Sequence, residues 1–495
     1  MGNPNTREGL ALATAKTIVS KDVLERLLDV EKLKYCYECG ICTGSCPMVE
    51  LLGNDYNPRG LLERIFLDPE GVLASAEIWL CAWCYRCHRR CNQALKLPEI
   101  FLEIRKIAVE HGYVESSEKA LQKIVENVPL PLTTALACFH PERAGLDKDE
   151  ILEKIGQMYD AHLKEEKAKR AQMVAEERVA VIGSGPAGLT VAYELSRKGY
   201  GVTVFEALPE AGGMLRKCIP SFRLPKRFLE KEVQSIAGLG VEIKTGVTIG
   251  QDMKFDGLWR EGYKAIFVGV GAHKTQKLKI EGGDLKGVIH ALDFLWNVNS
   301  GENVEIGENV VVIGGGNVAV DAARTALTAR EALKMGAKAV TILYRRSREE
   351  MPAIPWEVKE AESEGVKIEF LVSPKRIVGE DGKVSAIECV RMELGEPDES
   401  GRRKAVPIAG SEFKRETDMV ILAIGETPDV EFLPKETLLN EDGTVAVDPV
   451  TMETSLKGVF AGGDAVTGPA TVIEAIVAGK RAAESIDQYF KQSRG

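Results

Sequence analysis

Eleven cysteines lie in the 495-residue chain, and eight of them fall in two quartets of identical spacing. Cys36, Cys39, Cys42 and Cys46 form C-x2-C-x2-C-x3-C followed by Pro47, and Cys81, Cys84, Cys87 and Cys91 repeat the pattern with Asn92 in place of the proline. Three thiolates so close on one loop can each take a different iron of one cubane, while the fourth points away to a second cluster. On that logic Cys36, Cys39, Cys42 and Cys91 hold one 4Fe-4S cluster, and Cys81, Cys84, Cys87 and Cys46 hold the other. Zinc is the competing reading, but it takes four ligands per ion, usually from paired C-x2-C units rather than triplets. Clustering of this kind in a long chain points to a metal site in a reducing compartment, not to a disulfide framework.

Two glycine-rich turns carry a second chemistry. Residues 179–182 read as a β-branched strand, followed by Gly183, Gly185 and Gly188 with Pro186 and Ala187 between them, a helix, a strand at 202–205, and Glu206. The first glycine makes the tight turn, the second lets backbone approach a pyrophosphate, and the third lets helix pack on strand. Glu206, about twenty residues on, is placed to accept from a ribose hydroxyl. A second unit repeats the plan: strand 310–313, then Gly314, Gly316 and Ala319 around Asn317 and Val318, a helix to 333, and a strand at 339–343. That strand runs into Tyr344-Arg345-Arg346-Ser347-Arg348. Where an NAD site places an acid, Arg345 and Arg346 offer charge-assisted donors to a ribose 2′-phosphate, so NADPH is favoured and NADH is the alternative.

The elements that must position these groups are also legible. Apolar residues at helical spacing predict a lead-in helix at 21–34 and further helices at 61–67, 72–80, 98–109 and 115–127, flanking both cysteine loops. Residues 147–177, rich in Lys, Glu and Ala, read as a charged helical connector. Composition is that of a globular protein with about three domains, 44% hydrophobic and 28% charged. A net charge of -10 with no basic stripe excludes a nucleic-acid binder. The chain shows neither an apolar stretch long enough for membrane insertion nor a signal-peptide core, so a cytoplasmic location is expected.

Two resemblances sharpen this reading. CYECGICTGSCP, NPRG and LCAWCYRCHRRC resemble the ferredoxin-type iron-sulfur subunit of heterodisulfide reductases, an α-helical module that passes electrons to a neighbour. From Val179 onward the chain resembles the flavoprotein subunit of glutamate synthase and its relatives, through PEAGGMLRKCIPSFRLPK at 209–226, YRRSREEMPA at 344–353 and VFAGGD at 459–464. That likeness implies FAD on the first fingerprint, met also by Gly213, Met214, Leu215, Arg223, Gly271, Gly463 and Asp464. It further implies that the helix from Thr471 aims its amides at the flavin. Cys218 stands where the family has glycine, and reads either as a flavin-proximal redox thiol or as plain packing.

Together these imply a multidomain protein: an α-helical two-cluster ferredoxin domain at 1–145, a helical linker at 146–177, and an α/β flavoprotein with two Rossmann-like domains. The FAD-binding domain is expected to be discontinuous, at 178–292 and 436–495, around an NAD(P)H-binding domain at 293–435. The implied function is an NAD(P)H:acceptor oxidoreductase that passes electrons between NADPH, FAD and two 4Fe-4S clusters to other redox subunits or a ferredoxin-like carrier in a hetero-oligomeric complex. A glutamate synthase small subunit and a non-catalytic electron-wiring subunit are the alternatives.

Overall fold

A computed structural model describes residues 36–173, 175–276, 278–302, 304–333, 337–398 and 401–494; the lead-in helix expected at 21–34 lies outside them. The chain divides into two units, the first ending at Met173 and including Thr471–Val477, the second holding the rest.

Every regular element between residues 36 and 170 is helical. Prolines set several starts: Pro47–Leu52, Pro58–Leu67 and Pro69–Leu73 each open on proline, whose missing N–H costs nothing in a first turn. Asn57 and Asp68 cap the latter two by accepting from Gly60 N and Gly71 N. The connector differs from its solvated expectation. Its helix, Lys148–Arg170, carries Ile151, Ile155, Tyr159 and Leu163 at every fourth position, and all four are buried within the first unit. The charged composition hid this stripe, because one apolar residue per turn suffices to seat a helix.

The second unit is built on two parallel five-stranded sheets that share the order of four strands and differ in the origin of the fifth. In the first, Arg178–Ile182 lies at the centre with Gly201–Glu206 and Glu242–Thr245 on one side and Ala265–Val268 and Val459–Ala461 on the other. In the second, Asn309–Ile313 is central, with Ala339–Tyr344 and Lys367–Phe370 to one side and Met419–Leu422 and Val288–His290 to the other. The first sheet thus takes its last strand from beyond the whole of the second. Val288–His290 lies before the division at 292 and 293 suggested by the sequence, yet it pairs in the second sheet. After an exposed first residue, Arg178 or Asn309, the central strands are apolar and buried, as in sheets whose two faces are covered by helices. An antiparallel layer, Val372–Glu380, Lys383–Pro397, Arg403–Pro407 and Phe413–Glu416, packs through Val372, Ile377, Val384 and Ile387 against Val311, Ile313 and Val420. No helix among the described residues is long and apolar enough to cross a membrane.

Candidate cofactor-binding sites

In the first unit thiols of the two cysteine quartets lie within electrostatic reach of one another. Burial pushes the Cys36 thiol up to about 11, and the thiols that add to this are Cys42, Cys91 and Cys39. Cys46, pushed up to about 12 by burial, has Cys81 and Cys84 as its thiol neighbours, while the amides of Val49 and Met48 hydrogen-bond it. Cys91 thus lies near Cys36, and Cys46 near Cys81 and Cys84. Among the described residues no three Cys, His, Asp or Glu side chains converge as they would on one metal ion; a cubane instead takes its thiolates at separate corners.

The two loops share a backbone device. Gly40 and Tyr85, each following the second cysteine of its quartet, have φ of 62° and 57°. Glycine adopts this freely, whereas a tyrosine there costs about 1–3 kcal/mol and persists only where its surroundings over-determine it. The Tyr85 hydroxyl is buried with no hydrogen-bond partner in the protein. A cluster sulfur beside Cys81 and Cys87 would supply an acceptor, so the residues present fit the group. Trp79 and Trp83 are buried and already engaged, donating to Ser116 Oγ and to the carbonyl of Pro98. Within the same unit Arg86 pairs with Glu474.

The first nucleotide sheet collects its predicted residues at the carboxyl ends of its parallel strands. A Cβ on Gly188 would sit 2.0 Å from the carbonyl oxygen of Gly183, so the fold itself demands that glycine. Gly185 is different, with φ of -68° and nothing within 4 Å of a Cβ placed there. That opening lies at the start of helix Pro186–Arg197, where free amides suit an anion. Glu206 is buried and already occupied: Oε2 accepts from Ser184 N at 2.9 Å and from Ser184 Oγ, and Oε1 from Leu208 N at 2.8 Å. Ser184, which the motif leaves unspecified, thereby bolts the turn to the second strand, and its Oγ also accepts from Gly212 N at 2.9 Å. Gly271 and Gly463 follow the strands on the other side, both at positive φ.

Residues 209–226 stitch the two nucleotide folds together. Gly213 lies so near Gly185 that a Cβ would be 2.8 Å from its Cα, while Leu215 is buried and Met214 packs on the core of the second fold. Arg223, implied by resemblance to meet FAD, is engaged elsewhere. Its Nη1 contacts both carboxylate oxygens of Asp321 at 2.8 Å, and Nη2 lies 3.7 Å from Glu357. Cys218 is buried in the core with Phe294 and Val320. Burial, with Asp321 and Glu426 nearby, pushes its thiol far up, and a thiol held protonated is a poor nucleophile.

The second sheet repeats the glycine contrast. A Cβ on Gly315 would lie 2.4 Å from the Tyr344 ring, but Gly316 has nothing within 4 Å. Asn317 accepts from Ile354 N at 2.9 Å and Ala319 is buried, which fixes the turn and the helix Asn317–Leu333 behind it. Val318 is only partly buried and packs at the edge of the core. The two arginines part company. Arg346 is buried, pairing with Asp398 and donating from Nε to the carbonyl of Arg403 at 2.7 Å. Arg345 is exposed, with no ion pair among the described residues. Arg348 pairs with Glu362.

Residues 177–479 match the family described as pyridine nucleotide-disulphide oxidoreductase. The chain belongs to that family. Residues 32–95 of this oxidoreductase also match the 4Fe-4S dicluster domain. It is 48% identical over 319 residues to the NADP(+)-dependent formate dehydrogenase subunit beta of Moorella thermoacetica, covering 64% of this chain and 44% of that one. To the NADPH-Fe(3+) oxidoreductase subunit beta of Geobacter sulfurreducens it is 37% identical over 444 residues, 82% of this chain and 64% of the relative. The small chain of the NADPH glutamate synthase of Escherichia coli is 39% identical over 333 residues, 64% and 69%. The chain therefore spans less than two thirds of the first two relatives. Mycobacterium tuberculosis FprA, solved in complex with NADPH, shares the fold with a TM-score of 0.55 at 21% identity over 65% of this chain and 86% of that one.

Proposed function

We propose that the chain is an NADPH-dependent iron-sulfur flavoprotein oxidoreductase, a cytoplasmic subunit of a larger redox complex. When bound, NADPH supplies a hydride, FAD splits the pair into single electrons, and two 4Fe-4S clusters carry them to a partner subunit or a ferredoxin-like carrier. The observation that carries this reading is the crossed proximity of the cysteines, Cys91 with Cys36 and Cys46 with Cys81, in one chain with two open glycine cradles. Two of the relatives are named beta subunits, which supports a partner that this chain does not contain.

In this reading each of the eight quartet cysteines holds one iron. Gly185 leaves room for the FAD pyrophosphate at the start of helix Pro186–Arg197, and Glu206 keeps acceptor capacity for a ribose hydroxyl beyond the donors it already has. Gly213, Met214, Leu215, Gly271, Gly463 and Asp464 frame the rest of that site. Gly316, Asn317 and Arg345 receive NADPH. The domain limits follow the two sheets, with the NADPH fold inserted into the FAD fold. Anaerobically purified chain should carry about eight irons and about eight acid-labile sulfides, with FAD released on denaturation. Stoichiometric zinc without broad visible absorbance would overturn the cluster assignment.

A further inference from the structure

Helix Leu97–Glu110 buries an arginine among apolar neighbours. Arg105 is 2% exposed. Its Nε donates to the carbonyl of Ile78 at 2.7 Å, Nη2 to that of Cys81 at 2.8 Å, and Nη1 to that of Phe139 at 3.2 Å, with Cζ 5.7 Å from the Trp79 ring centroid. A guanidinium cannot shed its proton in a protein, so this is a fixed positive charge out of reach of water. Such a charge is strongly unfavourable unless something of opposite sign meets it. The other buried arginines obey that rule: Arg216 meets Glu210 and Glu230, Arg324 meets Glu357 and Glu364, and Arg346 meets Asp398. Arg105 has no carboxylate partner among the described residues. Its direct tie to the cysteine loops is the Nη2 hydrogen bond to the carbonyl of Cys81.

We propose that Arg105 is the buried counter-charge of the iron-sulfur cluster held by Cys46, Cys81, Cys84 and Cys87, and that it raises the reduction potential of that cluster. The inference rests on the two-cluster reading above. A cubane with four thiolate ligands is negatively charged, and reduction adds one further electron without removing any ligand. A fixed cation in a low-dielectric surrounding therefore stabilises the reduced form more than the oxidised one. The three carbonyl contacts fix where the charge sits, one of them on a ligand residue itself. A purely mechanical role, pinning Ile78, Cys81 and Phe139 together, is the rival account, and it makes different demands on the side chain.

Two variants of the full chain separate these roles. Arg105→Gln keeps donors for the carbonyls and loses the charge; Arg105→Lys keeps the charge and loses the fork. Both would be compared with native protein by iron and sulfide counts and by anaerobic redox titration followed by electron paramagnetic resonance. For Arg105→Gln, the ratio of reduced to oxidised form of one cluster at a fixed potential should fall at least tenfold, equivalent to a one-electron midpoint about 59 mV more negative. The other cluster should titrate as in native protein, and Arg105→Lys should stay close to native at both. Loss of one cluster's iron in Arg105→Gln but not in Arg105→Lys also supports the counter-charge. Native titration of both clusters in Arg105→Gln, or equal damage in both variants, would overturn it. Native protein without iron and sulfide would instead overturn the cofactor reading on which the inference stands.

Discussion

Gly185→Val should yield a folded chain with its iron intact and less than about a tenth of the native FAD. The expectation is this sharp because the fold does not ask for glycine there. Its φ of -68° suits any residue, and a Cβ would meet no protein atom within 4 Å. Gly188, by contrast, would collide with the Gly183 carbonyl, so its replacement would damage the fold and the site together. In the proposed reading, close approach of the cofactor pyrophosphate accounts for a glycine at 185. Gly316 occupies the matching place in the second sheet, and Gly316→Val should spare FAD and iron while abolishing saturation by NADPH. Flavin, iron and nucleotide binding measured on both variants check the assignment. Full FAD occupancy in Gly185→Val would mean that the flavin sits on the other turn.

Nucleotide choice should depend on Arg345 alone. A doubly charged 2′-phosphate gains roughly 1.5 to 3 kcal/mol from each charge-assisted hydrogen bond, and exposure at Arg345 favours the lower end, about tenfold in affinity. Arg345→Ala should therefore lower kcat/KM for NADPH about tenfold and leave NADH nearly unchanged. Arg346 does something else, since its guanidinium is committed to Asp398 and to the carbonyl of Arg403. Its removal should cost stability and affect both nucleotides alike. An Arg345→Ala variant with the native ratio of NADPH to NADH efficiency would make the exposed arginine a docking point for an acidic partner instead.

That division of labour marks where sequence reasoning stops. Motif position puts Arg345 and Arg346 side by side, and nothing in the motif says that a distant hairpin supplies Asp398 to claim one of them. Arg223 is a second case, because its partner Asp321 is nearly a hundred positions away and belongs to the second fold. What could be read were features written locally: glycines whose spacing sets a turn, β-branched runs that become the central strands, and thiols whose intervals decide how many can share a cluster. Two residues carried no local signal at all. Ser184 stands in an unspecified motif position, yet ties Glu206 to the turn. Arg105 looks like an ordinary surface charge on an amphipathic helix until the packing shows that no water reaches it. The helix at 148–170 is legible as a helix, but its burial is not, because the seating stripe is outvoted by surrounding lysines and glutamates.

The central claim is that one chain conducts electrons between NADP(H) and the clusters, and it can be tested without knowing the partner. Photoreduced, anaerobic full chain, freed of excess reductant, would be mixed with NADP+ while cluster resonance and NADPH absorbance are followed together. The clusters should reoxidise as NADPH forms, one NADPH for every two electrons lost from the chain, and Gly185→Val, lacking FAD, should keep its clusters reduced. Clusters that stay reduced in native, FAD-loaded protein while NADP+ is present would contradict the claim.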